Sequence, residues 1–258
     1  MAVFFYLKDF VFDGIASEQG MNVNNSGSYV KRVLFDTNGV LDEAWLSDVI
    51  QINRNMQLMD INIFELKHSL ESFDQVLEAK VIRIFPDALR VELNEEVPIF
   101  KLKIQSNEGG NFLRCVGRTG IVYDGTGYTE AYLKQLPYLI PYRHLNQKYL
   151  PINGLDYVAP LINLLEEEGL TEQIRLHSIS LENFSGDTEF PGQIIELKSD
   201  LIPRILFGAY DDYPDQVARL NYILSYINGS GNPEVKRVDL SLRDSAAVEF
   251  KEVKNNLF

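Results

Sequence analysis

Leu89, Val91 and Leu93 alternate with Arg90, Glu92 and Asn94, directly after the turn pair Pro86-Asp87. A strand with this period-two pattern buries one face and leaves the other wet, so the chain must supply cover for the apolar side. The preceding run, Val76 to Phe85, is β-prone and stops at Pro86, because proline fixes φ and aspartate bonds to the backbone that follows it. The two runs together predict a hairpin that cannot stand alone.

The cover lies upstream. Val30 to Phe35 reads as a short strand ended by Asn38-Gly39, residues that tolerate positive φ. Asp42 is placed to cap a first helix carrying Leu46, Val49 and Ile50 on one face. Asn62, with Glu65 three residues on, has the form of a capping box, and Ile63, Leu66, Leu70 and Phe73 make the apolar stripe of a second helix. Strand, helix, helix, strand, strand makes a compact α+β module of roughly 75 residues, assigned to residues 29–102.

The remainder reads as a second α+β domain, residues 103–254, with a tail at 255–258. Phe112 to Val116 and Gly120 to Tyr123 pair around Arg118-Thr119, and Leu136 to Leu139 is an extended crossing segment. Gly154 to Glu168 has helical spacing, with Pro160 expected in its first turn or as a break. Arg175 to Leu181, Gln193 to Lys198 and Arg204 to Phe207 are strands. Asp215 is expected to cap a helix bearing Val217, Leu220, Ile223, Leu224 and Ile227 and ending at Asn228-Gly229. Val235 to Leu242 and Ala246 to Val253 are the last two strands, joined at Arg243-Asp244-Ser245, and the final one is expected at a sheet edge. Residues 1–28 contain an extra strand, Val3 to Phe12, closed by Asp13-Gly14, and a loop rich in Gly, Ser and Asn.

Charge and composition narrow the function. The 258 residues are 45% hydrophobic and 24% charged, enough for buried cores. A net charge of −13 repels a phosphate backbone, which argues against nucleic-acid binding. Cys115 has no intramolecular partner for a disulfide, and His68, His144 and His177 are too dispersed for a local metal site, so neither cofactor nor metal is expected. No Ser, Cys or Asp stands at a recognised spacing from these histidines, and no catalytic role is expected. Glu166-Glu167-Glu168 and Asp211-Asp212 are solvated faces, since consecutive carboxylates on a helix diverge. The glycines at 109–110 and 125–127 lack a phosphate-binding spacing. The apolar stretch Ala2 to Phe12 is interrupted by Lys8 and Asp9 and falls short of the ~20 residues that span a bilayer. It also lacks the pattern of a signal peptide, so the chain is expected to be a soluble mature or truncated form.

Four groups of residues occur in the order found in one family. Val33 to Leu41 resembles the first strand and turn of the POTRA domain of the FtsQ/DivIB cell-division proteins. Val76, Ala79, Val81, Arg83, Phe85-Pro86-Asp87, Leu89, Val91, Leu93 and Glu95-Glu96-Val97-Pro98 resemble its V-x-x-A-x-V-x-R-x-x-P-x-x-L-x-V-x-x-x-E-x-x-P signature. Gly120-Ile121-Val122-Tyr123 with Leu136-Pro137 is similar to its G-x-V-F and L-P pair. Val238-Asp239-Leu240 followed by Asp244 to Phe250 looks like its terminal hairpin.

The resemblance implies a POTRA domain, a three-stranded sheet with two helices, followed by an FtsQ-type β domain with a mixed or antiparallel sheet and flanking helices. It also implies a non-catalytic divisome scaffold, periplasmic and anchored in the full-length protein to the inner membrane by one N-terminal helix. FtsB-like and FtsL-like division proteins would be its partners, the former adding a strand to the terminal edge. Leu242, Arg243, Ala246, Ala247, Val248, Glu249, Phe250, Lys251 and Glu252 are the candidate contact residues, with Phe250 the aromatic anchor and Arg243 a partner for a carboxylate. Arg83 marks a possible second surface on the POTRA domain. Bland readings stand beside these: Phe250 as core, Arg243 as a solvated turn residue, Arg83 packed along a sheet face. Leu242 stands where some members carry tyrosine, and Phe250 where some carry tryptophan. A POTRA-type factor in outer-membrane protein assembly or secretion is the alternative, although such proteins usually carry several POTRA copies and one is found here. A secreted hydrolase would require a convergent carboxylate or Ser-His pair.

Overall fold

The computed structural model describes residues 8–11, 29–50, 52, 55–105, 111–142, 151–187, 189–190, 192–209, 212–231 and 233–251. They fall into two compact units, one running to Val97 and including Gly125–Tyr128, the other formed by Pro98–Asp124 and the chain from Thr129.

In the first unit, β2 (Arg32–Thr37), α1 (Glu43–Val49), α2 (Ile63–Glu71), β3 (Val76–Ile84) and β4 (Ala88–Glu95) follow in the order expected. β2 runs parallel to β4, and β3 pairs antiparallel with β4, which makes β4 the centre of three strands. A fourth strand, β1 (Lys8–Val11), adds antiparallel to β2, giving the order β1-β2-β4-β3. Leu89, Val91 and Leu93 are buried as their alternation requires and share a core with Val33, Phe35, Leu46 and Leu70. Both predicted caps form. Asp42 accepts from the Trp45 amide at 2.9 Å, and Asn62 accepts from the amides of Phe64 and Glu65 at 3.2 and 3.3 Å. Each satisfies donors that the first helical turn would otherwise leave open. Phe73 lies just past α2, half-exposed, with its ring edge-on to Trp45 at 5.3 Å between centroids.

The second unit is a nine-stranded mixed sheet. Its strands in chain order are β5 (Pro98–Gln105), β6 (Asn111–Gly117), β7 (Val122–Tyr123), β8 (Tyr138–Ile140), β9 (Leu176–Ser180), β10 (Ile194–Ser199), β11 (Ile205–Gly208), β12 (Val235–Asp239) and β13 (Ala247–Phe250). In space they run β13-β12-β11-β10-β9-β8-β5-β6-β7. Four helices accompany them: α3 (Glu130–Gln135), α4 (Leu155–Glu167), α5 (Leu170–Ile174) and α6 (Tyr213–Gly229). α6 connects β11 to the parallel β12. The core is built from sheet residues such as Phe100, Ile179, Leu197 and Phe207 with Leu161 and Leu165 of α4 and Leu220 and Leu224 of α6.

Two helix expectations are corrected. Pro160 lies inside α4 rather than in its first turn or at a break. It removes one backbone donor, but six α4 side chains, Leu155, Val158, Ala159, Leu161, Ile162 and Leu165, are buried around it, and that burial holds the helix together. α6 starts earlier than Asp215: Asp212 occupies the cap position, Pro214 sits in the first turn where its missing N–H costs nothing, and Asp215 follows as a first-turn acid. No described helix is long and apolar enough to cross a membrane.

Candidate partner-binding edge

β13 is the outermost strand of the larger sheet and pairs on one side only, with β12. Its direction of hydrogen bonding follows from three main-chain contacts. The amides of Val238 and Leu240 donate to the carbonyls of Arg204 and Leu206, at 2.9 and 2.8 Å, so beyond the register shift between Val235 and Arg237 the main-chain groups of Val238 face β11 and those of Arg237 and Asp239 face β13. These are opposite Glu249 and Ala247. At the other end the Lys251 amide donates to the Glu234 carbonyl at 2.8 Å. Ala247, Glu249 and Lys251 therefore direct their main-chain groups inward, and Val248 and Phe250 direct theirs to the open side.

Side chains alternate with the pleat. Ala246 and Val248 pack against the core, while Ala247 and Glu249 are exposed on the other face. Phe250 shares the face of Val248 but is 46% exposed, so much of its ring stays outside the core. Leu242 and Arg243 are exposed in the connection from β12, where Asp244 takes a left-handed φ of 58°. Lys251 is exposed, and Glu252 lies outside the described residues.

A set of ion pairs fixes the hairpin on its polar face. Lys236 Nζ meets Glu249 Oε1 at 2.5 Å, and Lys251 Nζ meets Glu234 Oε2 at 3.0 Å. The hydrogen bond from Lys236 holds the Glu249 carboxyl below the usual carboxylate range. Asp239 is also lowered. Burial alone would raise it, but hydrogen bonds from Ser241 and Arg237 outweigh that cost. Behind them Arg204 makes a two-pronged contact with Glu196, at 3.0 and 2.9 Å, and this raises the arginine further. Arg219 of α6 donates to the carbonyls of Leu240 and Leu242, both at 3.2 Å, and so ties the helix to the connection. Lys236, Glu234 and Arg219 are absent from the residues that the sequence singles out. Opposite charges across a hairpin register would reveal Lys236, but only once the register is known.

The remaining candidate lies in the first unit. Arg83 donates through Nε to the Leu58 carbonyl at 2.9 Å and through Nη2 to that of Ile61 at 2.5 Å, so its guanidinium binds the loop ahead of α2 to β3. His177 and Asp200 meet at 2.5 Å on an exposed surface. Among the described residues no group of His, Cys, Asp and Glu side chains is arranged to hold a metal. Cys115 is buried, and burial with Asp124 nearby pushes its thiol up to about 11, far from a reactive thiolate.

No curated protein matches the chain. The family description "POTRA domain, FtsQ-type" matches residues 28–96, the stretch that holds β2, α1, α2, β3 and β4. Residues 28–96 are thus a POTRA domain of the FtsQ type, consistent with a protein of the FtsQ/DivIB family.

Proposed function

We propose that this chain is a non-catalytic scaffold of the bacterial cell-division machinery that works outside the cytoplasm and binds an FtsB-like protein, itself paired to an FtsL-like helix, along β13. The observation that carries this reading is the open side of β13, where Val248 and Phe250 present main-chain donors and acceptors beside a half-exposed aromatic ring. An extended segment added there gains affinity from main-chain hydrogen bonds and selectivity from alternate side chains. One face of the added strand meets Val248 and Phe250, the other the charged row of Lys236, Glu249 and Lys251. Leu242 and Arg243 extend the surface around the hairpin connection. The FtsQ-type POTRA domain supports the same reading, because that family organises division by protein–protein contact.

Calorimetric titration with the extracytoplasmic segment of the host's FtsB-like protein tests the proposal. Binding by the intact chain, weakened about tenfold or more (~1.4 kcal/mol) by Phe250→Ala with the fold intact, supports it. A folded chain that does not bind overturns the partner assignment.

A further inference from the structure

We propose that the β2 edge of the POTRA unit is a self-complementary pairing surface for a second copy of this chain, and that the chain keeps it closed with its own strand Lys8–Val11. β1 lies outside the residues that match the POTRA domain, and it pairs antiparallel with β2 through Lys8 opposite Phe35, Asp9 opposite Leu34, Phe10 opposite Val33 and Val11 opposite Arg32. Without it β2 would be an edge, since its other side is taken by β4. Edge strands that read well against themselves are the ones that proteins must cover.

β2 reads well against itself. In an antiparallel pair centred on Leu34, Arg32 of one copy stands opposite Asp36 of the other, Val33 stands opposite Phe35, and Leu34 meets its equivalent. The arrangement is isologous, so each charge pair occurs twice. Val33 and Phe35 belong to the core face, which leaves Arg32, Leu34 and Asp36 together on the opposite face. Asp36 supplies an independent sign of a missing partner: its Oδ1 is buried and has no hydrogen-bond partner among the described residues. Arg32 is half-exposed and reaches Asp87 only at 3.4 Å, a loose contact that it can exchange. Opposite charges directly across an antiparallel pair favour it, and like charges oppose it. β1 and β2 belong to one chain, and the effective concentration that this covalent link gives lets a four-residue strand compete with a whole second molecule.

Sedimentation equilibrium on the full chain and on a chain lacking residues 1–12 tests this, with hydrogen exchange of the β2 amides measured on both. The expected result is a monomeric full chain with protected β2 amides and a shortened chain that dimerises. Arg32→Asp or Asp36→Arg in the shortened chain weakens the dimer about tenfold or more. The double exchange, Arg32→Asp with Asp36→Arg, restores it to within about threefold. The proposal is overturned by a shortened chain that remains monomeric, by a full chain that dimerises equally well, or by a double exchange as weak as the single ones.

Discussion

Glu95, at the end of β4, accepts the backbone amide of Leu41 through Oε1 at 3.0 Å, fifty-four positions back along the chain. The same carboxylate accepts from the Val40 amide and the Gln75 side chain, each at 3.1 Å, and from the Thr37 hydroxyl, while its own amide donates to Asn38 at 2.7 Å. It is almost wholly buried. A carboxyl this deep is stable only because donors surround it, and all of them but Gln75 belong to the segment that leads from the end of β2 into α1. Glu95 opens the E-x-x-P end of the POTRA resemblance, so a residue that reads as a motif letter is physically a latch on the first turn.

Replacing Glu95 with Ala leaves the amides of Val40 and Leu41 without their acceptor and removes one of the two acceptors of the Gln75 side chain, with an expected loss of about 2–4 kcal/mol. Gly39→Ala acts on the same latch, since a Cβ there falls 2.2 Å from the Glu95 carboxyl carbon. Urea unfolding of both variants and their combination checks this. The two losses are expected to add to less than their sum, because the second substitution finds the latch already gone.

Val248→Pro and Glu249→Pro differ by one position and have opposite meanings. Proline at Val248 removes an N–H that points to the open side, so the hairpin persists and binding of an added strand falls about tenfold or more. At Glu249 the lost N–H points at β12, and the ion pair with Lys236 goes with it, so β13 detaches. Calorimetry and amide exchange on each variant separate the two effects.

Gln216, fully buried on α6, donates to the Gly208 carbonyl at 3.0 Å and accepts from the Gly208 amide at 2.9 Å, which closes the end of β11. Gln216→Leu conserves size and orphans both backbone groups. A loss of about 2–4 kcal/mol is expected in chemical denaturation of the second unit.

Acid acts on the terminal hairpin in a fixed direction. Asp239 and Glu249 both ionise more readily in the folded chain than their ordinary values of 3.8 and 4.5. The stability that they contribute is therefore complete above those values and is lost as pH falls through the lower folded ones. Amide exchange of β12 and β13 between pH 5 and pH 3 (about the span of those two values) is expected to accelerate ahead of that of the central strands.

Local pattern carried much of the first unit. The alternation at Leu89, Val91 and Leu93 and the caps at Asp42 and Asn62 are decided by neighbours within a few residues, and each forms as expected. The edge position expected of the last strand is the one that β13 takes, paired with β12 alone among the described strands. β5 is hidden in the linear pattern for a tertiary reason. Lys101 interrupts its apolar run, yet the side chain is buried, donates to the Lys134 carbonyl at 2.7 Å and lies 4.4 Å over the Tyr138 ring, with its pKa lowered by burial. A lysine satisfied by distant groups looks like a solvated one in a linear pattern. Asp212 and Asp215 both suit a cap in the linear pattern, and the first-turn Pro214 selects the earlier one. The spatial order of nine strands, with β5 beside β8 and β8 beside β9, depends on crossovers that no local signal contains.

The two ends of the nine-stranded sheet are unequal. β7 contributes two residues, Val122 and Tyr123, so alternation leaves it a single outward-facing set of main-chain groups, whereas β13 offers two over four residues. A sheet that can be extended from both sides tends to propagate, chain upon chain, as fibres do. This one has unequal flanks, four residues at β13 against two at β7, so a strand added as proposed would find a longer template on one flank than on the other.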